Sequence, residues 1–224
     1  MTGKLVDHSA LPERAERKSE GDPVLIDAIG KHLGKYFGVV SGVLHDDDSR
    51  WVHLDLHVLA ADEARPVTIV CTSGMAERPL KSTAGARLWT ELMIVLPGDW
   101  PLKQPALGRP ESFWPFSILR WLARFPHRTG TGFTPGESIG PIPRRTDLPP
   151  ASAFDAALFL SQDLVPNVSM VGREVEILAV CPIHLDELAW IREHGSRVLR
   201  DAFAERGVDP LLFDPTRPSF APAR

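Results

Sequence analysis

Residues 66–100 read PVTIVCTSGMAERPLKSTAGARLWTELMIVLPGDW. The segment holds two short apolar runs, 67–71 and 92–96, and the second is closed by Pro97-Gly98. Apolar runs of this length, rich in β-branched residues and bounded by Gly and Pro, are core strands. The loop between them begins Thr72-Ser73-Gly74-Met75, and Glu91 stands at the head of the second run. The loop is specific in composition yet carries no recognisable catalytic set. That combination points to a binding protein rather than an enzyme.

The flanking sequence fills in the architecture. Asp22 and Pro23 open a helix over residues 23–37, with Leu25, Ile26, Ile29, Leu33 and Tyr36/Phe37 at helical spacing and Gly38 to end it. A strand follows at 39–45, then an acidic turn at 46–49, then residues 51–60, where apolar and polar positions alternate as on a half-buried strand. With 67–71 and 89–96 these make four neighbouring strands with short links, an antiparallel meander. Residues 113–125 read as a helix, 126–152 as a long irregular stretch, and 154–160 and 175–181 as strands. A last helix runs from 184 or 185 to about 206, weakened midway by Gly195. The order predicts an α+β fold with helices packed on a mixed, largely antiparallel sheet. It divides the chain into a flexible N-terminal segment (1–21), a domain (22–207) and a Pro-rich tail (208–224).

Composition narrows the function classes. The 224 residues carry a net charge of −4, and a mildly acidic chain lacks the basic stripe of a nucleic-acid binder. No apolar run approaches the roughly 20 residues of a membrane span, and residues 1–20 lack the apolar segment of a signal peptide. Cys71 and Cys181 lie in apolar contexts and read as buried free thiols, so a cytoplasmic location is expected.

Several constellations carry possible chemistry. His53-x-Asp55-x-His57 places three metal-ligand side chains on one strand face, about 7 Å apart per two-residue step. A polar strand face explains the same pattern without metal, and a metal-dependent enzyme centred on these residues is the rival reading. His127, His184 and His194 share no metal-binding spacing. Ser73 beside Gly74 lacks the G-x-S-x-G frame and an ordered acid and base, so it reads as part of a tight turn. Cys71 and Cys181 sit inside apolar strands, where a thiolate is disfavoured. The glycines at 130, 132, 136 and 140 match no phosphate-binding loop, and no cofactor is expected. Trp100, Trp114 and Trp121 cluster around one helix as packing residues, or line a groove if partly exposed.

Four segments together resemble the suppressor of fused domain. They are TIVCTSGM (68–75), WTELMIVL (89–96), WPFSILRWLARF (114–125) and VEILAVCPIHLDEL (175–188). GFTPGESIGPI (132–142) matches the position of that family's Gly-containing strand. The resemblance covers roughly residues 22–207 and is to the single-domain bacterial type. It implies no enzymatic activity. Larger animal relatives bind Gli-family transcription factors, clamping an extended peptide as an added strand between two domains. This chain stops about where the first of those domains ends, so the second half of such a clamp is not expected in it. The resemblance implies a protein-binding domain and an immunity protein that neutralises a polymorphic toxin, a reading its acidity fits if the toxin surface is basic. The partner is expected to be a toxin or an extended peptide. The groove is expected between the loop Thr72, Ser73, Gly74, Met75 and the segment containing Gly136, Glu137, Ser138 and Ile139. A scaffolding subunit is the third reading.

Overall fold

The computed structural model describes residues 16, 18–46, 48, 50–142 and 154–222. Most of the expected N-terminal segment and residues 143–152 of the irregular stretch lie outside the described residues. In chain order the elements are α1 (Pro23–Phe37), β1 (Gly42–His45), β2 (Asp55–Leu59), β3 (Val67–Ser73), β4 (Leu80–Lys81), β5 (Arg87–Leu88) and β6 (Thr90–Pro97). There follow α2 (Pro110–Thr129), β7 (Ser138–Ile139), β8 (Ala156–Leu160), β9 (Val168–Met170), β10 (Arg173–Ile183), α3 (Leu185–His194) and α4 (Arg197–Glu205).

The main sheet runs β1-β2-β3-β6-β10-β8-β7, with β9 paired to the start of β10. The meander β1-β2-β3-β6 is antiparallel throughout, and the β6–β10 pair is parallel. A parallel pair needs a crossover, and the chain between β6 and β10 supplies it, with α2 on one face. The sheet is therefore mixed, as the α+β reading expects.

Alternation along the central strands divides their side chains between two cores. Ile69, Cys71, Met93, Val95, Ile177, Ala179 and Cys181 face α1, α3 and α4. Val70, Leu92, Ile94, Leu96, Leu178 and Val180 face α2. Both faces are covered, so the runs are apolar without interruption. Each fully buried aliphatic side chain contributes about 1.5–3 kcal/mol.

The helices follow their sequence signals closely. Asp22 accepts from Val24 N and Leu25 N at 3.1 Å, and Gly38 at φ +85° ends α1. Leu25, Ile29, Leu33 and Phe37 form its buried stripe. α2 is longer than the apolar periodicity suggests because Pro110 suits its first turn and Gly130 caps its end, and it continues through two further prolines, Pro115 and Pro126. Gly195, at φ +85°, separates α3 from α4. Trp51–Leu54 do not join β2, and His57 is buried under α1 rather than solvated. β2 is thus covered on both faces, and its alternation is of residue type, not of burial.

Candidate functional site

The conspicuous loop after β3 is an internal turn built around a carboxylate. Glu91, on β6, is fully buried. A charge-bearing group inside an apolar strand requires dedicated donors, and the turn supplies them. Thr72 Oγ1 donates to Oε2 at 2.6 Å, Gly74 N and Ala76 N donate to Oε1 at 2.9 Å, and Met75 N reaches Oε2 at 3.3 Å. Thr72 Oγ1 in turn accepts from Leu92 N at 2.8 Å, replacing a ladder bond at the end of β3. Arg173 Nη1 donates to Ala76 O at 3.1 Å, and the His127 ring bonds Met75 O at 2.8 Å. The expectation that Thr72, Ser73, Gly74 and Met75 rim a groove is therefore corrected. The side chains of Thr72, Ser73 and Met75 are all 0% exposed, because the turn folds inward to solvate Glu91.

Burial outweighs these donors and pushes the Glu91 carboxyl up to about 7. The folded protein then holds a proton that the unfolded chain, titrating near 4.5, releases. Stability from this group is full at low pH and falls as pH rises from about 4.5 to about 7, by roughly 3 kcal/mol. The denaturant midpoint, followed from pH 5 to 8, is expected to fall over that window, and Glu91→Gln should flatten its pH dependence. A wild-type profile that rises through the window contradicts the assignment.

The His53/Asp55/His57 set does not converge. Asp55 meets the His45 ring at 2.9 Å and the His53 ring at 3.5 Å. His57 instead turns its Nε2 to Ser73 Oγ at 2.9 Å, in a space left open where Gly30 of α1 lacks a Cβ. Among the described residues no group of three or more His, Cys, Asp or Glu side chains is placed to hold a metal ion. The rival metal-enzyme reading is corrected on this geometry: His53 stays beside Asp55, but His57 turns to Ser73, so the three side chains do not converge on one ion. The Ser73–His57 pair also fails as a nucleophile and base. Ser73 has no access to solvent, and His57 Nδ1 carries no orienting partner. Burial moves the His57 imidazole below its ordinary value, raises the Cys71 thiol and pushes Cys181 up to about 12. Neither cysteine is poised as a thiolate.

The other named residues divide. Gly136 and Glu137 reach the surface at the β7 rim, whereas Ser138 and Ile139 are buried at the sheet edge. Glu137 accepts from Thr134 N at 2.8 Å and from Thr83 Oγ1 at 3.1 Å. Trp114 is buried, while Trp100 and Trp121 are half-buried packing residues.

A feature the sequence reading missed lies in the middle of the sheet. The β6–β10 pairing covers only Thr90–Met93 against Glu176–Ala179. Beyond it β6 stays paired to β3 as far as Pro97, and β10 stays paired to β8 as far as Ile183. The two strands splay and leave a split between them. Glu176 N donates to Trp89 O at 2.9 Å, so alternation aims the main chain of Pro182 into the split. Proline has no N–H to leave unpaired there, which is why a central strand tolerates it.

The C-terminal tail fills this split. Leu212 forms a parallel bridge with Val95, and Phe213 N donates to Val95 O at 2.8 Å. The Phe213 ring packs at 5.0 Å from Trp114 and 5.2 Å from Phe154. Arg217 Nη2 donates to Pro182 O at 3.1 Å, capping the opposite lip. Its guanidinium grips Glu187, the third residue of α3, at 2.6 and 2.8 Å, and Glu187 also accepts from Phe220 N at 2.8 Å and His184 N at 2.9 Å. Phe154, Phe203 and Phe220 surround the cation. The signal for this anchor is an Arg set between two aromatic residues in a Pro-rich tail, which periodicity does not weigh.

The sequence matches the family model described as suppressor of fused protein (SUFU) over residues 50–218, well over half the chain. The chain belongs to the suppressor of fused family. Its fold matches a suppressor of fused homologue from Neisseria gonorrhoeae, with a TM-score of 0.65 at 16% identity, covering 91% of this chain and 100% of that one. It also matches a chain of the Sufu–Fu complex, with a TM-score of 0.62 at 18% identity, covering 90% and 93% of the two chains. Drosophila Suppressor of Fused matches with a TM-score of 0.62 at 17% identity, covering 92% of this chain and 52% of that one. The suppressor of fused domain here thus spans about half the length of the Drosophila protein. No curated protein matches the sequence. Among the described residues, no helix of this suppressor of fused domain is long and apolar enough to cross a membrane.

Proposed function

We propose that this chain is a non-catalytic, cytoplasmic protein-binding domain that takes an extended segment of its partner as an added strand. The observation that carries the reading is the β6–β10 split, where two central strands continue but pair only on their outer edges. Unpaired strand edges are templates for strand addition. The inward-facing Ser73, Cys71 and Cys181 support a non-enzymatic role, and two free buried thiols suit a reducing compartment. The Sufu–Fu complex places a relative of the same fold in a protein–protein assembly. The partner class we favour is a polymorphic toxin neutralised by binding, its basic surface complementing a net charge of −4. We retain Gly136 and Glu137, at the β7 rim, as a second contact.

The test is to search the neighbouring genes for a polymorphic toxin domain and to measure complex formation with it. A one-to-one complex on gel filtration is expected, with added amide protection at Val95, whose main chain lines the split. Co-expression should protect a host cell from the toxin. No complex at micromolar concentrations refutes the toxin partner, and protection confined to other surfaces refutes strand addition in the split.

A further inference from the structure

We propose that residues 209–222 are a displaceable strap: the chain's own stand-in for a partner strand, seated in the β6–β10 split and latched by Arg217 on Glu187. The inference rests on the strand-addition reading above and specifies what competes for the split and what chemistry a partner must bring.

Three observations carry it. The tail meets β6 at an isolated bridge, Val95–Leu212, and not along a ladder. Pro210, Pro215, Pro218 and Pro222 each lack an N–H, so this segment cannot pair continuously with either lip. Its hold is through side chains instead. Phe213, Arg217 and Phe220 are buried, whereas Asp214, Pro215, Thr216 and Pro218 between them are exposed. The main chain of the split is therefore covered but poorly used: Val95 O takes Phe213 N, and Pro182 O takes a guanidinium in place of an amide.

A segment without those prolines can make the same side-chain contacts and also pair with both lips. The strap thus defines the partner's chemistry. The segment is extended and carries an aromatic residue for the cavity against Trp114 and Phe154. Four residues later it carries an arginine for Glu187, which is fully buried and accepts a bidentate guanidinium. Until such a segment arrives, the strap covers the split and Glu187 keeps a countercharge. Displacement means exchanging one Phe and Arg pair for another, with main-chain bonds gained.

The probe is a labelled peptide of residues 209–222, added in trans to the full chain and to the full chain carrying Arg217→Ala. The variant's own strap lacks its latch and the peptide supplies one, so the variant should bind at least tenfold more tightly than the unmodified chain. A peptide with its own Arg replaced by Ala should lose that advantage. Equal binding to both chains overturns the proposal, as does no binding to a folded variant. If Arg217→Ala does not fold, hydrogen exchange on the unmodified chain decides. The Phe213 amide should open at least a hundredfold faster than the amides of Leu178 and Val180, and equal protection overturns the strap. The two readings fail separately. Tight binding of the toxin to the unmodified and Arg217→Ala chains alike leaves partner binding standing and removes the strap as competitor. Peptide exchange without any toxin complex leaves the strap standing and removes the toxin.

Discussion

Replacing Gly74 by alanine is expected to destabilise the fold by about 4 kcal/mol or more, a loss at the high end for single substitutions. Two effects add. Gly74 sits at φ +111°, where an L side chain is strained, and its Cβ would lie 2.0 Å from the carbonyl oxygen of His53. That oxygen is main chain, so relief requires moving the turn. The turn cannot move freely, because Gly74 N and Ala76 N both donate to Glu91 Oε1 at 2.9 Å. Moving it would strip donors from a fully buried carboxyl, at a further cost of about 1–3 kcal/mol for each group left unmet. Gly85→Ala is the matched control. Gly85 shares a positive φ of +85°, but a Cβ there meets nothing within 4 Å, so it should cost only the local strain of about 1–2 kcal/mol. Urea unfolding of the two variants measures the difference. Equal losses would mean that the close approach to His53 carries no energy.

The second large effect is expected at Glu187. Glu187→Ala removes both carboxylate contacts of the Arg217 guanidinium, as well as the acceptor for Phe220 N and His184 N. Removing one partner of a buried ion pair costs about 3–5 kcal/mol, because the other charge is left without compensation. The aromatic rings around Arg217 offset part of this through cation–π contact, at about 1–2 kcal/mol in total for a desolvated site. In the double variant Glu187→Ala, Arg217→Ala no buried charge remains, and part of the loss should be recovered. A double-mutant cycle by chemical denaturation checks this. Additive losses would show that the pair is not coupled and that the tail is held by Phe213 and Phe220 alone.

Much of the architecture was legible along the chain, for reasons that are local. The Asp22–Pro23 start and Gly38 stop bound α1 because capping groups act within one turn of the residues that carry them. The apolar runs near 67–71 and 92–96 read as core strands because both sheet faces bury them. Gly195 interrupts the last helix as its backbone freedom suggests. The helix over residues 110–129 extends beyond the 113–125 that its apolar spacing marks, because its ends are set by Pro110 in the first turn and Gly130 at the cap. The short strands β4, β5 and β9 carry no measurable period in two or three residues, and β7 is legible only through the resemblance at residues 132–142.

The candidate site was less legible, and the reason is distance along the chain. Glu91 stood out in an apolar run, but its donors lie 15–19 residues away, so the run did not say that the loop turns inward. His53, Asp55 and His57 share a strand face in sequence, yet they do not gather on one centre: Asp55 pairs with His45 across the β1–β2 ladder as well as with His53, and His57 pairs with Ser73 across β2–β3. Arg217 and Glu187 are 30 residues apart and announce nothing to each other in a Pro-rich tail.

Residue order and type thus settled the helices, the central strands, the mixed α+β class and the resemblance to the suppressor of fused domain, since period, capping and breaking act over a few residues. Folding in three dimensions settled which polar groups are used up and which edges are open. It turned Thr72–Met75 from a rim into an internal support, kept the strand histidines from forming a metal site, and opened β6 from β10 for the tail to fill. Those outcomes depend on which distant strands become neighbours, and a neighbour's identity is what decides whether a buried carboxylate, imidazole or strand edge is satisfied.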